Sequence, residues 1–233
     1  MDESKKLSLI RIEKYIAHLG YCSRRQVTRL IDEGRVKLNN EIVKTPTTFI
    51  KDSDKIFIDG VLIEKKEEKI WLFHKPRGVV TTHSDPEGRT TVFDLLPRSL
   101  GHVISVGRLD LNSEGLLIIT NSSDFAHKAM MPNNGWKRVY HVKVFGEIPS
   151  DFFEKLQKEI TVDEIRYKPM GAEYIRGRGN HNWIKLTLTE GKNREIRKVM
   201  EFFGLQVSKL IRVKYGPYSL GNIKVGDILE VEK

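Results

Sequence analysis

Cysteine is almost missing from this sequence. Cys22 is the only one, so no internal disulfide can form, and such usage fits a reducing compartment. No apolar run approaches the roughly 18 residues of a spanning helix, so no membrane segment is expected and a cytoplasmic location is. The opening MDESKKLSLIRIEK is charged where a secretory signal carries an apolar stretch, and no leader is expected. Metal-ligand spacings are also missing. The 7 histidines are scattered, without HxH or HExxH, and no CxxC pair exists. No GxxxxGK followed by Ser or Thr appears, so the phosphate loop of a nucleotide hydrolase is absent. No GxSxG appears either, which leaves serine and thiol hydrolase chemistry with little support. GRGN, residues 177–180, reads as no more than a flexible basic loop.

What is present is a core and an uneven charge. Hydrophobic residues make up 39% of 233 and aromatics 9%, enough to exclude general disorder. The net charge is +9. Residues 5–37 hold nine lysines and arginines (Lys5, Lys6, Arg11, Lys14, Arg24, Arg25, Arg29, Arg35, Lys37) against three acids. Residues 190–214 hold seven against three. These two segments carry more than the whole net charge, and such patchiness favours a polyanionic partner over mere solubility.

Periodicity sets out an α+β chain. Ile12, Tyr15, Ile16 and Leu19 keep helical spacing up to Gly20. Ser23 to Gln26 is a capping box opening a helix with Val27, Leu30 and Ile31 on one face and Gly34 as its stop. RVKLNNEIV alternates about an Asn39-Asn40 turn, and DKIFIDG adds a strand. The charge run 64–69 is the expected boundary between two domains. KIWLFHKP reads as a strand and RTTVFDLLP as holding a short helix. DFAHKAMMP reads as a helical turn or two. KRVYHVKVFG alternates, with Tyr140, Val142 and Val144 on one face. SDFFEKLQKEI reads as a helix capped by Ser150, NWIKLTLTEG as a strand, and REIRKVMEFFG as a helix with Ile196, Val199, Met200 and Phe203 inward. DILEVEK closes as a strand. Hairpins in mixed order argue α+β rather than a doubly wound sheet.

One carboxylate stands out. VGRLDLNSEGLLIITN places Asp110 between Leu109 and Leu111, with strand-like residues on both sides. A turn aspartate that bonds backbone two residues on accounts for the spacing. A partly desolvated carboxylate held by a cation accounts for it too, and would be ready as nucleophile or base. Arg108, Arg194 and Arg197 are the candidate cations. Tyr140 reads either as a core tyrosine or as a platform for an unstacked base.

GRLDLNSEGLLIITN resembles the GRLDxxTxGLLLLTN signature of the RsuA/RluB/RluE/RluF group of pseudouridine synthases. KRVYHVKV resembles the group's second motif, with its tyrosine at Tyr140. LTEGKNREIRKVMEFFGLQVSKLIRVKYG resembles the third. RIEKYIAHLGYCSRRQVTRLIDEGRVKLNNEIV resembles the S4 RNA-binding domain that precedes the catalytic domain there. Ser113 stands where the signature has Thr, and Lys192 where Arg is common.

The resemblance implies an S4-like domain over 1–66. It implies a catalytic domain over 67–233, built on a mixed, mainly antiparallel sheet with flanking helices. Asp110 is then the catalytic aspartate, Arg197 its partner and Tyr140 the ring under the flipped base. Ile196 packs near that base, and Arg194 and Arg108 are further substrate contacts. Arg11, Ser23, Arg24, Arg25 and Lys37 face the RNA backbone. The reaction needs neither redox nor energy input, so no cofactor is expected. The implied substrate is ribosomal RNA or a pre-ribosomal particle, with large-subunit RNA favoured by TEGKNREIRK and VSKLIRVKYG. The implied enzyme acts as a monomer. A small-subunit substrate, and a non-catalytic assembly factor that keeps the fold, are the alternatives. A nuclease would need clustered carboxylates or a histidine pair.

Overall fold

The computed structural model describes residues 10–51, 53–64 and 66–232, so Lys5 and Lys6 of the basic leader lie outside it. The chain forms two compact units. The first holds residues 1–69 with Arg98–Ile104 and Thr120–Phe125; the second holds Ile70–Pro97, Ser105–Ile119 and Ala126–Lys233.

In the first unit β1 (Ile10–Arg11) leads into α1 (Ile12–His18) and α2 (Arg24–Asp32). The capping box forms: the Gln26 backbone N–H donates to the Ser23 hydroxyl, and the Gln26 side chain accepts from the Ser23 backbone at 2.9 Å. Short strands follow: β2 (Val36–Leu38), β3 (Glu41–Ile42), β4 (Phe49–Ile50), β5 (Ile56–Ile58) and β6 (Val61–Leu62). They pair antiparallel as β3-β2-β5-β6, with β4 on β1. Asn39 turns between β2 and β3 with φ 55°. Ile12, Ile16, Val27, Ile31, Val36, Ile56 and Ile58 bury the helices' inner faces against the strands. Each such side chain contributes roughly 1.5–3 kcal/mol on burial.

The second unit is built on a nine-stranded sheet. Its strands are β7 (Ile70–Lys75), β8 (Ile104–Ser105), β9 (Glu114–Thr120), β10 (Arg138–Phe145), β13 (Gly171–Arg178), β14 (His181–Leu188), β15 (Gln206–Tyr215), β16 (Tyr218–Ser219) and β17 (Ile228–Val231). The order is β13-β14-β10-β15-β9-β7-β17, with β16 on β15 and β8 on β9. β10 runs antiparallel to both neighbours, and β9 runs parallel to β15, so the sheet is mixed and mainly antiparallel. A separate hairpin, β11 (Ile160–Val162) and β12 (Ile165–Tyr167), stands off it. The helices are α3 (Ser123–Met130), α4 (Phe152–Leu156) and α5 (Glu195–Phe202). α5 packs on β15 and β11 through Ile196, Val199 and Met200.

Three local expectations change. RTTVFDLLP forms one turn and no helix. The Asp94 carboxylate accepts from the Thr91 backbone and hydroxyl, each at 2.8 Å, as a helix cap would, but Pro97 arrives before a second turn can close. The residue at the N-cap of α4 is Asp151 rather than Ser150, and no side chain caps it. GRGN is the tip of the β13–β14 hairpin, with Gly179-Asn180 between the paired Arg178 and His181.

Candidate active site

Asp110 sits half-buried in the loop that enters β9, with Leu109 buried beside it. The loop is held by its backbone. The Lys75 ammonium, 0% exposed at the end of β7, donates to three carbonyls: Pro76 at 3.0 Å, Asp110 at 3.2 Å and Ser113 at 2.9 Å. Three N–H donors thus meet three acceptors. The Gly78 N–H donates to the Leu111 carbonyl at 2.8 Å. The Thr81 hydroxyl donates to the Leu109 carbonyl at 2.8 Å and accepts from the Leu109 N–H at 3.3 Å. The Arg197 Nη2 donates to the Asn112 carbonyl at 2.8 Å. Every carbonyl from Leu109 to Ser113 therefore has a donor, which fixes the backbone that carries the half-buried Asp110.

Arg197 reaches this loop from α5, with its Nη1 on the Val207 carbonyl at 3.2 Å. Its Nη groups go to backbone oxygens rather than to the Asp110 carboxylate, and its Nε is buried without a partner. Burial and the neighbouring Arg194 lower its pKa, and the attraction of Asp110 opposes them. Burial likewise pushes Lys75 down to about 8, against the pull of Asp110 and Glu114. Lys75 and Arg197 thus both hold the backbone of the loop that carries Asp110.

Sheet register brings Tyr140 to the same neighbourhood. Tyr140 lies directly opposite Arg212 on β15, and Arg212 opposite Gly115 on β9. Arg212 is 3% exposed and donates its Nε to the Leu116 carbonyl at 2.8 Å and its Nη1 to the Arg108 carbonyl at 3.5 Å. It also lies over the Tyr215 ring, 5.0 Å from the centroid. Gly115 has φ +107°, and a Cβ there would meet the Arg212 carbonyl oxygen at 2.4 Å. Only glycine lets β9 close on β15 here. Tyr140 is 9% exposed with Val142 and Val144 at 0%, so its ring lies on the covered face of β10.

Ile196 is buried on α5, and Arg194, with φ 50°, is exposed at that helix's N-cap. The Arg108 side chain is exposed. In the first unit Arg11, Arg25 and Lys37 are exposed. Arg24 is tied to Glu13 at 2.7 Å, and the Ser23 hydroxyl is engaged in its cap.

Residues 69–202 match the model of the RNA pseudouridylate synthase family, and residues 10–56 match the S4 domain. The chain belongs to the RNA pseudouridylate synthase family. It is 43% identical to an uncharacterized RNA pseudouridine synthase of Rickettsia prowazekii, over 96% of this chain and 94% of that protein. It is 38% identical to the ribosomal large subunit pseudouridine synthase B of Yersinia pestis, over 90% of this chain and 68% of that one. A crystal structure of a pseudouridylate synthase superposes with a TM-score of 0.69 at 25% identity, covering 96% of each chain. The fold is thus an S4 domain followed by a synthase domain, and the enzyme is an isomerase.

In this pseudouridine synthase the loop's supports, Lys75, Thr81 and Arg212, escaped the sequence reading. Lys75 left one signal: a lysine closing the apolar strand IWLFHK, where burial demands partners.

Proposed function

We propose that this synthase isomerises one uridine of large-subunit (23S) ribosomal RNA to pseudouridine, with Asp110 acting on the sugar. The observation that carries the reading is the backbone clamp on residues 109–113, which fixes the loop that bears Asp110. The C1′–N1 bond breaks, uracil turns, a C1′–C5 bond forms, and the C5 proton is then lost while N1 takes one up. Asp110 serves as nucleophile at C1′ or as base at C2′, and a half-buried carboxylate on a fixed loop suits either. Tyr140 stacks on the flipped base, a contact worth roughly 1–3 kcal/mol. Ile196 packs beside it. Arg197 holds the loop that bears Asp110, and the exposed Arg194 and Arg108 meet the substrate's polar groups.

Residues 1–66 act as the RNA clamp and 67–233 as the catalyst. Arg11, Arg25 and Lys37 take phosphates; Ser23 and Arg24 chiefly hold the α2 end that presents them. The RNA reading draws on the S4 match, and the large-subunit reading on the relative named synthase B and on the third motif. The enzyme works as a cytoplasmic monomer on ribosomal RNA or a pre-ribosomal particle, with no cofactor. Pseudouridine mapping of ribosomal RNA from cells lacking the protein tests the substrate. One lost large-subunit position is expected; a lost position only in small-subunit RNA, or none, overturns the assignment.

A further inference from the structure

The nine-stranded sheet has a second face. Along β10 the residues that alternate with Tyr140, Val142 and Val144 are Val139, His141, Lys143 and Phe145, and none of them is buried. Register extends this face over three neighbours. Lys143 stands opposite Trp183 on β14 and Lys209 on β15, and Trp183 stands opposite Arg176 on β13. One step along, Phe145 stands opposite His181 and His181 opposite Arg178. One step the other way, His141 stands opposite Lys185.

Two features separate this face from an ordinary solvated one. The first is charge. Lys143 directly faces Lys209, although like charges directly opposite destabilise a sheet. Lys143, Lys185, Lys209, Lys214, Arg176 and Arg178 are answered on these strands only by Glu173 and by Glu114 of β9. Those two acids are engaged already, Glu173 by Lys185 at 3.1 Å and Glu114 by Lys209 at 2.8 Å. A surplus of cations thus awaits an anion. The second feature is rings among the cations. Phe145 is 45% exposed and lies 5.1 Å from the His181 ring, and Trp183 is half-exposed between Arg176 and Lys143. Strands lie ~4.8 Å apart and same-face residues ~6.7 Å apart, so four strands and three rows span roughly 14 by 13 Å. That is room for two or three nucleotides, with bases on rings and phosphates on lysines.

We infer that this open face of β13, β14, β10 and β15 is a second RNA contact, holding a stretch of the substrate other than the target uridine. Tyr140 points to the opposite face, so nucleotides here are distinct from the one isomerised. The inference rests on the reading that the substrate is RNA. It assigns affinity to a surface outside both the S4 domain and the active site.

The test uses the full chain and in vitro transcribed 23S ribosomal RNA. Lys143→Gln with Arg176→Gln should weaken binding about tenfold, and lower the slope of log K against log salt by about 2. Trp183→Leu should weaken binding with the slope unchanged. Single-turnover isomerisation at saturating RNA should stay at the wild-type rate in all of them. Both charged positions are at the surface, so folding is not at risk, and unchanged thermal unfolding confirms it. Unchanged affinity and slope in the double variant overturn the inference. So does weakened binding to pre-ribosomal particles alone, with naked RNA bound as before, which would give the face to a protein partner. Wild-type protein that binds this RNA but modifies no uridine in it would defeat the functional reading and leave the inference about the face standing.

Discussion

Lys75 is expected to set how the loop that bears Asp110 responds to pH. As an ammonium it supplies three donors to three carbonyls, and as an amine only two. Burial lowers its pKa to about 8 from an ordinary 10.5. Between those values the unfolded chain holds a proton that the folded chain has lost, so the Lys75 contribution to stability rises with pH across the window. Over the same window the clamp loses a donor. Single-turnover rate should therefore fall on the alkaline side with a midpoint near 8, while stability does not fall with it. Lys75→Met should be slower at neutral pH and lack that limb; a limb persisting near 8 assigns the titration elsewhere. Arg197 bridges the Asn112 and Val207 carbonyls. Lysine keeps the charge but cannot reproduce the planar fork. Arg197→Lys should lose about tenfold in kcat/KM, and Arg197→Met about a hundredfold or more, the scale of an ångström misplacement. Equal activity in all three would remove Arg197 from the site. Asp110, Tyr140 and Arg197 could be nominated from the sequence because each stands in a short motif. Lys75, Thr81 and Arg212 could not, because they act on backbone carbonyls remote in sequence, and backbone acceptors leave no trace in residue identity.

At the scale of elements, legibility followed the range of the interactions. The α2 cap was readable because Ser23 and Gln26 satisfy each other three residues apart. At RTTVFDLLP, expected to hold a short helix, Thr91 and Asp94 make a cap with no helix to follow. β10 was readable from its alternation. β15, with two register shifts against β10, shows no clean period, yet it joins β10 to β9. Its junction with β9 depends on Gly115. Gly115→Ala drives a Cβ into the Arg212 backbone and forces a strained φ, at a cost of about 1–3 kcal/mol. Thermal unfolding should drop by several degrees, with activity falling as the loop that β9 carries shifts. An unchanged Tm would show that the strands part there without penalty.

On the scale of the whole molecule, the uneven charge seen in composition resolves into separate jobs. The S4 unit holds Arg11, Arg25 and Lys37 at its surface, while Arg29 and Arg35 are tied to Glu33 and Asp59. Changing Arg11, Arg25 and Lys37 to Gln together should lower the salt slope of RNA binding by about 2 to 3 and raise KM, with single-turnover rate unchanged at saturation. A slower rate at saturating RNA would instead give the S4 unit a part in the chemistry. The central claim joins all three scales: the fold exists to hold one carboxylate against the sugar of one uridine. Tritium release from RNA carrying 5-³H-uridine, measured in single turnover for wild type and Asp110→Asn at matched RNA occupancy, tests it most directly. The account predicts that Asp110→Asn binds RNA as wild type does and releases no tritium above background. Release near the wild-type rate by Asp110→Asn would contradict it.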